Sequence, residues 1–178
     1  MRKLITILFI FFTIGCFAQQ SIITDNPYVT HPASSSPTAY LYYKWHIITC
    51  RSSTNLVQMD EFNLYYSGSE LDYSSSTATY SSSYDPSQPP VNAFDNSTAT
   101  KFVGYNISSP KDLIIQLSSA QAIDSYTYTT GSDASDRDPI TWELYGSNDG
   151  SSYALLDSQT TVTITSSRNT ETQIFTIP

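Results

Sequence analysis

The sequence predicts an all-β domain of the jelly-roll β-sandwich kind, and three observations carry that prediction. Apolar residues alternate with polar ones in short runs, and no window of useful length repeats with a helical period. Ser, Thr and Tyr are plentiful, with 14 Tyr in the chain, while charged residues make up only 13% of it, a balance that favours strands and polar loops. Turn residues close the runs at regular spacing, the pattern of many short antiparallel strands.

The first eighteen residues read as a targeting segment. Arg2 and Lys3 give a positive start, Leu4 to Ile14 an apolar stretch, and Cys16-Phe17-Ala18 places small residues where a signal peptidase reads. The stretch is shorter than the roughly 20 apolar residues a spanning helix needs. Cleavage after Ala18 leaves Gln19 first and the protein secreted. The rival reading is a lipid anchor at the cell surface through Cys16, after Thr13-Ile14-Gly15. Residues 19 to 39 form a Pro/Ser-rich linker or arm with Pro27, Pro32, Pro37 and the run Ser34-Ser35-Ser36.

Residues 40 to 178 are the folded domain. Its first strand reads as Ala39 to Cys50, dense in aromatics around Lys44 and Trp45. Leu56 to Tyr66 alternates, with Val57, Met59, Phe62 and Leu64 on one face, and slips phase near Glu61 as a bulge would. The Ser- and Tyr-rich stretch 67 to 90 is a long surface loop, or else a sugar-contacting surface, since Tyr joins a flat apolar face to a hydroxyl. Val91 to Asp95 is turn-like. Strands follow at Lys101–Val103, Asp112–Leu117 and Ile123–Gly131. A loop holding Asp133, Asp136, Arg137 and Asp138 ends at Pro139, and Ile140, Trp142, Leu144 and Tyr145 make the next strand, closed by the turn Gly146-Ser147-Asn148-Asp149-Gly150. Tyr153–Leu156, a Thr-rich strand near Thr160 to Ile164, and Thr172–Ile177 complete the series.

Charge and chemistry exclude several functions. The chain carries 8 basic and 16 acidic residues, and loss of Arg2 and Lys3 with the leader deepens the imbalance. Such a surface repels nucleic-acid phosphates and offers no basic patch to anionic lipid. It suits calcium, which takes oxygen ligands. With Cys16 removed, Cys50 stands alone in an apolar run and reads as a small core residue. His31 lies in the arm and His46 on a strand, and neither has partners at metal-ligand spacing. There is no Gly-rich phosphate loop and no nucleophile elbow, so the chain reads as a binder and not as an enzyme.

The element Trp142-Glu143-Leu144-Tyr145-Gly146-Ser147-Asn148-Asp149-Gly150 resembles a recurrent signature of the discoidin, or coagulation-factor type C, domain and of its relatives among family 32 carbohydrate-binding modules. Ala93-Phe94-Asp95-Asn96-Ser97-Thr98-Ala99-Thr100-Lys101-Phe102 resembles that superfamily's Ala-Phe-Asp-Gly/Asn element followed by Thr-x-Trp, with Phe102 in the aromatic place. The resemblance implies a galactose-binding-domain-like sandwich that binds carbohydrate, as an extracellular or cell-surface glycan, through loops at one end. It also implies a structural calcium at the 95–100 loop. Asp95 would be its charged ligand, Asn96, Thr98 and Thr100 would lend carbonyl or side-chain oxygens, and Glu61 would complete the set. Read from its residues alone, Asp95 instead caps a turn with no metal.

For the ligand, Arg137 falls near the place of the family's Arg, with Tyr105 and Asn106 near its aromatic. Asp133 and Asp136 would accept hydroxyl protons, while Val103 stands where galactose binders have His. The structural alternative ties Arg137 to Asp136, Asp138 or Asp149, and the widespread recurrence of the motif favours it. Related domains usually continue with an aromatic-rich strand and a last strand pairing near the first. Here the sequence ends at Phe175-Thr176-Ile177-Pro178, so either the last strands are lacking and further domains follow, or Tyr40 to Tyr66 does part of their work. Two other roles stay open: an adhesion module gripping a protein or lipid surface, and the front accessory domain of a larger secreted hydrolase.

Overall fold

The computed structural model describes residues 36–52 and 55–178, so the leader and the arm up to residue 35 lie outside it. The described residues form eleven strands: β1 (Tyr40–Cys50), β2 (Leu56–Met59), β3 (Glu61–Tyr66), β4 (Ser69–Glu70), β5 (Thr77–Tyr80), β6 (Phe102–Tyr105), β7 (Lys111–Gln121), β8 (Ser125–Thr129), β9 (Pro139–Ser147), β10 (Ala154–Gln159) and β11 (Phe175–Thr176). The described helices are two short 3-10 turns, Pro90–Phe94 and Ser135–Arg137. The strands pair antiparallel in a five-stranded sheet (β10-β9-β1-β7-β5), a four-stranded sheet (β11-β8-β3-β4) and a two-stranded pair (β2-β6).

Alternation decides which side chains fill the space between the sheets. Tyr43, Trp45 and Ile47 of β1 point inward with Leu113, Ile115 and Leu117 of β7 and Trp142 and Leu144 of β9. Phe62 and Leu64 of β3 and Tyr126 and Tyr128 of β8 meet them from the other sheet. Trp45 stacks on Phe62 at 4.4 Å between centroids, and Trp142 meets Tyr128 and Phe175 edge-on. Two sheets packed through interlocked aromatics are a β-sandwich, as the sequence predicts. The Trp142 indole N–H donates to the Tyr126 hydroxyl at 2.8 Å, which in turn donates to Asp157, so neither polar group is left dry.

The front segment sits in the middle of the fold. β1 lies between β7 and β9, and β3 pairs with β8. Register shifts against β9 at Ile47/Thr49 and Thr49/Cys50 change the parity of β1, and that change turns Cys50 inward. Burial pushes the Cys50 thiol up to about 12, so it is an inert core residue.

Three local expectations change. The phase slip near Glu61 is a crossing between sheets: the chain leaves β2, paired with β6, passes Asp60, and enters β3, paired with β8. Residues 67 to 90 are not a surface loop throughout, because β5 forms the edge of the five-stranded sheet and Leu71, Tyr73 and Tyr80 are buried. No strand forms at Thr160–Ile164. Left-handed backbone at Thr161 (φ 51°) breaks the extension after β10, and Ile164 plugs the core from a loop.

Candidate functional site

Two loops carry most of the predicted site residues, and Glu61, Tyr105 and Asn106 lie on or beside strands β3 and β6. The first joins β8 to β9. Asp138 lies at its end, fully buried, and two arginines from distant parts of the chain hold it. Arg168 grips it with both terminal nitrogens, at 2.8 and 2.6 Å, and Arg51 adds a bond at 3.2 Å. Arg51 also donates to the carbonyls of Ser135, Ile164 and Thr165, and Arg168 to those of Gly131 and Asp133. Bidentate pairing, with both guanidinium groups bonded further to loop carbonyls, is the arrangement in which a buried charge is tolerated.

With Asp138 so occupied, Arg137 is not locked as the structural alternative expects. Its Nη1 lies 3.4 Å from the Gln58 side-chain oxygen and 3.8 Å from Asp133, and its Nε and Nη2 make no hydrogen bond among the described residues. Asp133 pairs instead with the Lys101 ammonium at 2.8 Å, which holds its carboxyl below the usual carboxylate range. The backbone carbonyl of Asp136 accepts from Ser52, and its carboxylate makes no hydrogen bond among the described residues. Gln58 is fully buried and donates to the carbonyls of Asp133 and Ala134, fixing the loop from below. Gly131 lies against it so closely that a Cβ there would come within 2.8 Å of the Gln58 amide.

The β2–β6 pair forms the floor. Gln58 faces Val103 and Leu56 faces Tyr105 across the pair. Because side chains alternate along a strand, Tyr105 lies on the face of Gln58, about 7 Å along from Val103. Tyr105 is half-buried and its carbonyl accepts from the Tyr80 hydroxyl. Asn106, in left-handed backbone at φ 66°, donates its side-chain amide to the hydroxyls of Ser82 and Ser83. The structure therefore brings Asp133 and Arg137 together around Gln58 and Lys101, leaves Tyr105 on the same strand face as Gln58, and ties Asn106 to the neighbouring loop; no contact joins the Asp136 carboxylate to this group among the described residues.

The second loop follows the 3-10 turn Pro90–Phe94. Asp95 accepts from the Ser97 N–H at 3.0 Å and from the Thr100 hydroxyl at 2.7 Å, the local capping that its residues alone predict. Glu61, at the start of β3, reaches the same place: its Oε1 accepts from the Ser97 N–H at 2.6 Å. Glu61 is 3% exposed and its Oε2 has no hydrogen-bond partner. Burial pushes its carboxyl well above the usual range, and the nearby Asp95 pushes it further. Asn169 clasps the loop from outside, donating to the Thr98 carbonyl and to the buried Asp60 carboxylate. Among the described residues no three His, Cys, Asp or Glu side chains gather to hold a metal ion, so any cation here needs carbonyl and hydroxyl oxygens besides its two carboxylates.

His46 lies on the outer face of β1, 2.6 Å from Asp112 on β7, and His31 is outside the described residues. Sequence reasoning missed Arg51, Arg168, Gln58 and Asn169. An Asp directly before the Pro that opens an apolar strand was a usable sign that Asp138 is buried and needs a cation. Nothing in the spacing pointed to partners as remote as Arg51 and Arg168.

A family model described as the F5/8 type C domain matches residues 76–178. No curated protein and no solved structure matches the chain.

Proposed function

The chain belongs to the F5/8 type C domain family, a family of binding modules, and from that premise we propose that it is a secreted, non-catalytic module that binds carbohydrate through the loop between β8 and β9. The observation that carries this reading is Arg137. It stands on a loop pinned from beneath by Gln58 and from the side by the Asp138 lock, yet its own Nε and Nη2 are unspent. A planar donor fork on a rigid support, with the Asp133 carboxylate 3.8 Å away and the half-buried Tyr105 on the strand face of the Gln58 that Arg137 touches, offers what vicinal sugar hydroxyls require: donors, acceptors and a flat apolar surface; on this reading Asp136 and Asn106 supply further polar contacts. A screen of immobilised glycans identifies the sugar. Arg137→Ala is then expected to weaken that binding about tenfold or more, the cost of losing hydrogen bonds to a charged group, with the thermal melt unchanged. Binding that survives the substitution overturns the assignment.

The family also implies a calcium, and the residues fit one. Asp95 and the buried Glu61, one of whose carboxyl oxygens has no partner, are two carboxyl groups brought together at one loop, and burial and the neighbouring Asp95 disfavour charge on Glu61; a divalent cation would favour the ionised form of both. Asn96, Thr98 and Thr100 would lend oxygens. Bound calcium would neutralise the two carboxylates and fix the loop beneath the rim. A chelator should lower the melting temperature of the wild-type protein, and Asp95→Ala should remove that difference. A melt indifferent to chelator in both proteins counts against the site.

A further inference from the structure

The crossing between the sheets, residues 58–61, carries three buried polar side chains, and each is tied to a different loop. Gln58 donates to the carbonyls of Asp133 and Ala134 in the loop between β8 and β9. Asp60 accepts from the Asn169 side chain at 2.7 Å, in the loop that follows β10. Glu61 accepts from the Ser97 N–H at 2.6 Å, in the 95–100 loop. Gln58 and Asp60 are fully buried and Glu61 nearly so. Four consecutive residues thus form a floor common to the rim and to the candidate cation loop, and hydrogen bonds in a dry interior hold such a floor rigid.

A strap closes the circuit above this floor. Residues 167–170 clasp Thr130, at the head of the loop between β8 and β9. The Asn169 N–H donates to the Thr130 carbonyl, the Thr130 N–H to the Thr170 carbonyl, and the Thr130 hydroxyl to the Ser167 carbonyl. The two middle side chains of the strap then part company. Arg168 reaches the rim loop, at Asp138 and at the carbonyls of Gly131 and Asp133. Asn169 reaches the cation loop: its amide nitrogen donates to the Thr98 carbonyl at 3.1 Å as well as to Asp60, so both of its hydrogens are in use. Left-handed backbone at Asn169, φ 51°, aims them there, and Asn is among the few residues that tolerate it. Another thread joins the same two loops, from Lys101 to Asp133 at 2.8 Å, but the Asp133 side chain is 56% exposed and such a pair couples weakly. The Asn169 bond ends instead on a fully buried carboxylate, where it counts for more.

We propose that Asn169 is a positioning residue that couples the two sites: by holding Thr98 to Asp60 and, through the strap, to the rim loop, it makes calcium at the 95–100 loop and sugar at the rim each favour the binding of the other. Each ligand removes part of the strap's freedom, so the second has less left to remove. The gain is the same whichever binds first. The coupling rests on the calcium and carbohydrate readings of the two loops and adds the link between them.

The test needs no identified sugar. Backbone hydrogen exchange is followed in wild type and in Asn169→Gly, with calcium and with chelator, beside a calorimetric titration with calcium. Asn169 is exposed and glycine takes its backbone angle without strain, so the variant should fold, with a lower melt because Asp60 loses a partner. Asn169→Ser is the second variant: its hydroxyl can donate to Asp60 or to the Thr98 carbonyl but not to both, and it should uncouple as glycine does. In wild type, calcium should slow exchange about tenfold in residues 95–100 and in 131–138. It should leave the 146–150 turn, at the other end of β9, unchanged. In either variant saturated with calcium, 95–100 should still slow and 131–138 should not. The coupling is overturned if wild type binds calcium while 131–138 stays unmoved, if the 146–150 turn slows equally, or if the variants keep the full effect. Variants that no longer bind calcium would make Asn169 part of the cation's own support and overturn it too. Wild type that binds no calcium would sink the calcium reading and the coupling with it, whereas the rim reading is scored separately on Arg137→Ala.

Discussion

Asp138 shows how a single residue organises a binding surface. A fully buried carboxylate is costly unless paired, and this one takes three bonds from Arg168 and Arg51. Those arginines also donate to the carbonyls of residues 131, 133, 135, 164, 165 and 166, so six loop positions hang on one charge. Asp138→Asn keeps the shape and removes that charge, leaving two half-buried guanidinium groups with a buried amide between them. The expected loss is about 3–5 kcal/mol, read as a lower urea midpoint at unchanged slope. The substitution should also loosen the loop that presents Arg137. Sequence reading reached the residue types in this loop correctly but paired the wrong arginine with the aspartates. Adjacency along the chain favoured Arg137, whereas burial of Asp138 beneath the loop made only side chains arriving from below able to reach it.

Among the elements, the turn after β9 was the most legible, because its chemistry is local. Gly150 adopts φ 68°, and the Asp149 carboxylate accepts from the N–H groups of Ser151 and Ser152 at 2.8 and 2.7 Å. Those bonds favour the ionised form and hold its pKa well below the usual carboxylate range. A carboxyl whose folded pKa is depressed contributes stability above its unfolded value, about 4, and loses it as the pH falls through the folded one. Asp149→Ala should therefore be less stable than wild type at neutral pH, with the two converging in acid; urea melts across that range check it, and a constant difference down to strong acid refutes it. The break between β2 and β3 was half legible. Its phase slip stood in the sequence, but a bulge and a crossing between sheets disturb alternation alike, and only the partners of each half tell them apart. The expected strand at Thr160–Ile164 failed because the left-handed backbone at Thr161 breaks the extension, leaving one bond from the Val162 N–H to the Ile140 carbonyl of β9 in place of a ladder.

At the scale of the whole molecule, the family match and the folded unit do not coincide. The match spans 76–178, whereas β1, β2 and β3 lie before it, and β1 is the central strand of the five-stranded sheet. A chain beginning at Ser76 would keep every residue of the match and lose Trp45, Ile47, Phe62 and Leu64 from the core. It should fail to fold, with dispersed amide signals and near-ultraviolet dichroism lost; a cooperative melt from that fragment would refute the placement of β1. The sequence made the sandwich legible through its alternation and composition. It left the strand order open, because antiparallel pairing between β1 and strands more than sixty residues away leaves no local trace.

The central position of β1 also has a consequence for how the molecule is made. The strand that leaves the ribosome first must wait for β7 and β9, which emerge much later, before any of its backbone can be paired. Contacts this distant in the chain close slowly and late. The five-stranded sheet is thus incomplete at its centre until Ser147 has been made, and through that interval the apolar face of β1 stays open to whatever else the growing chain presents.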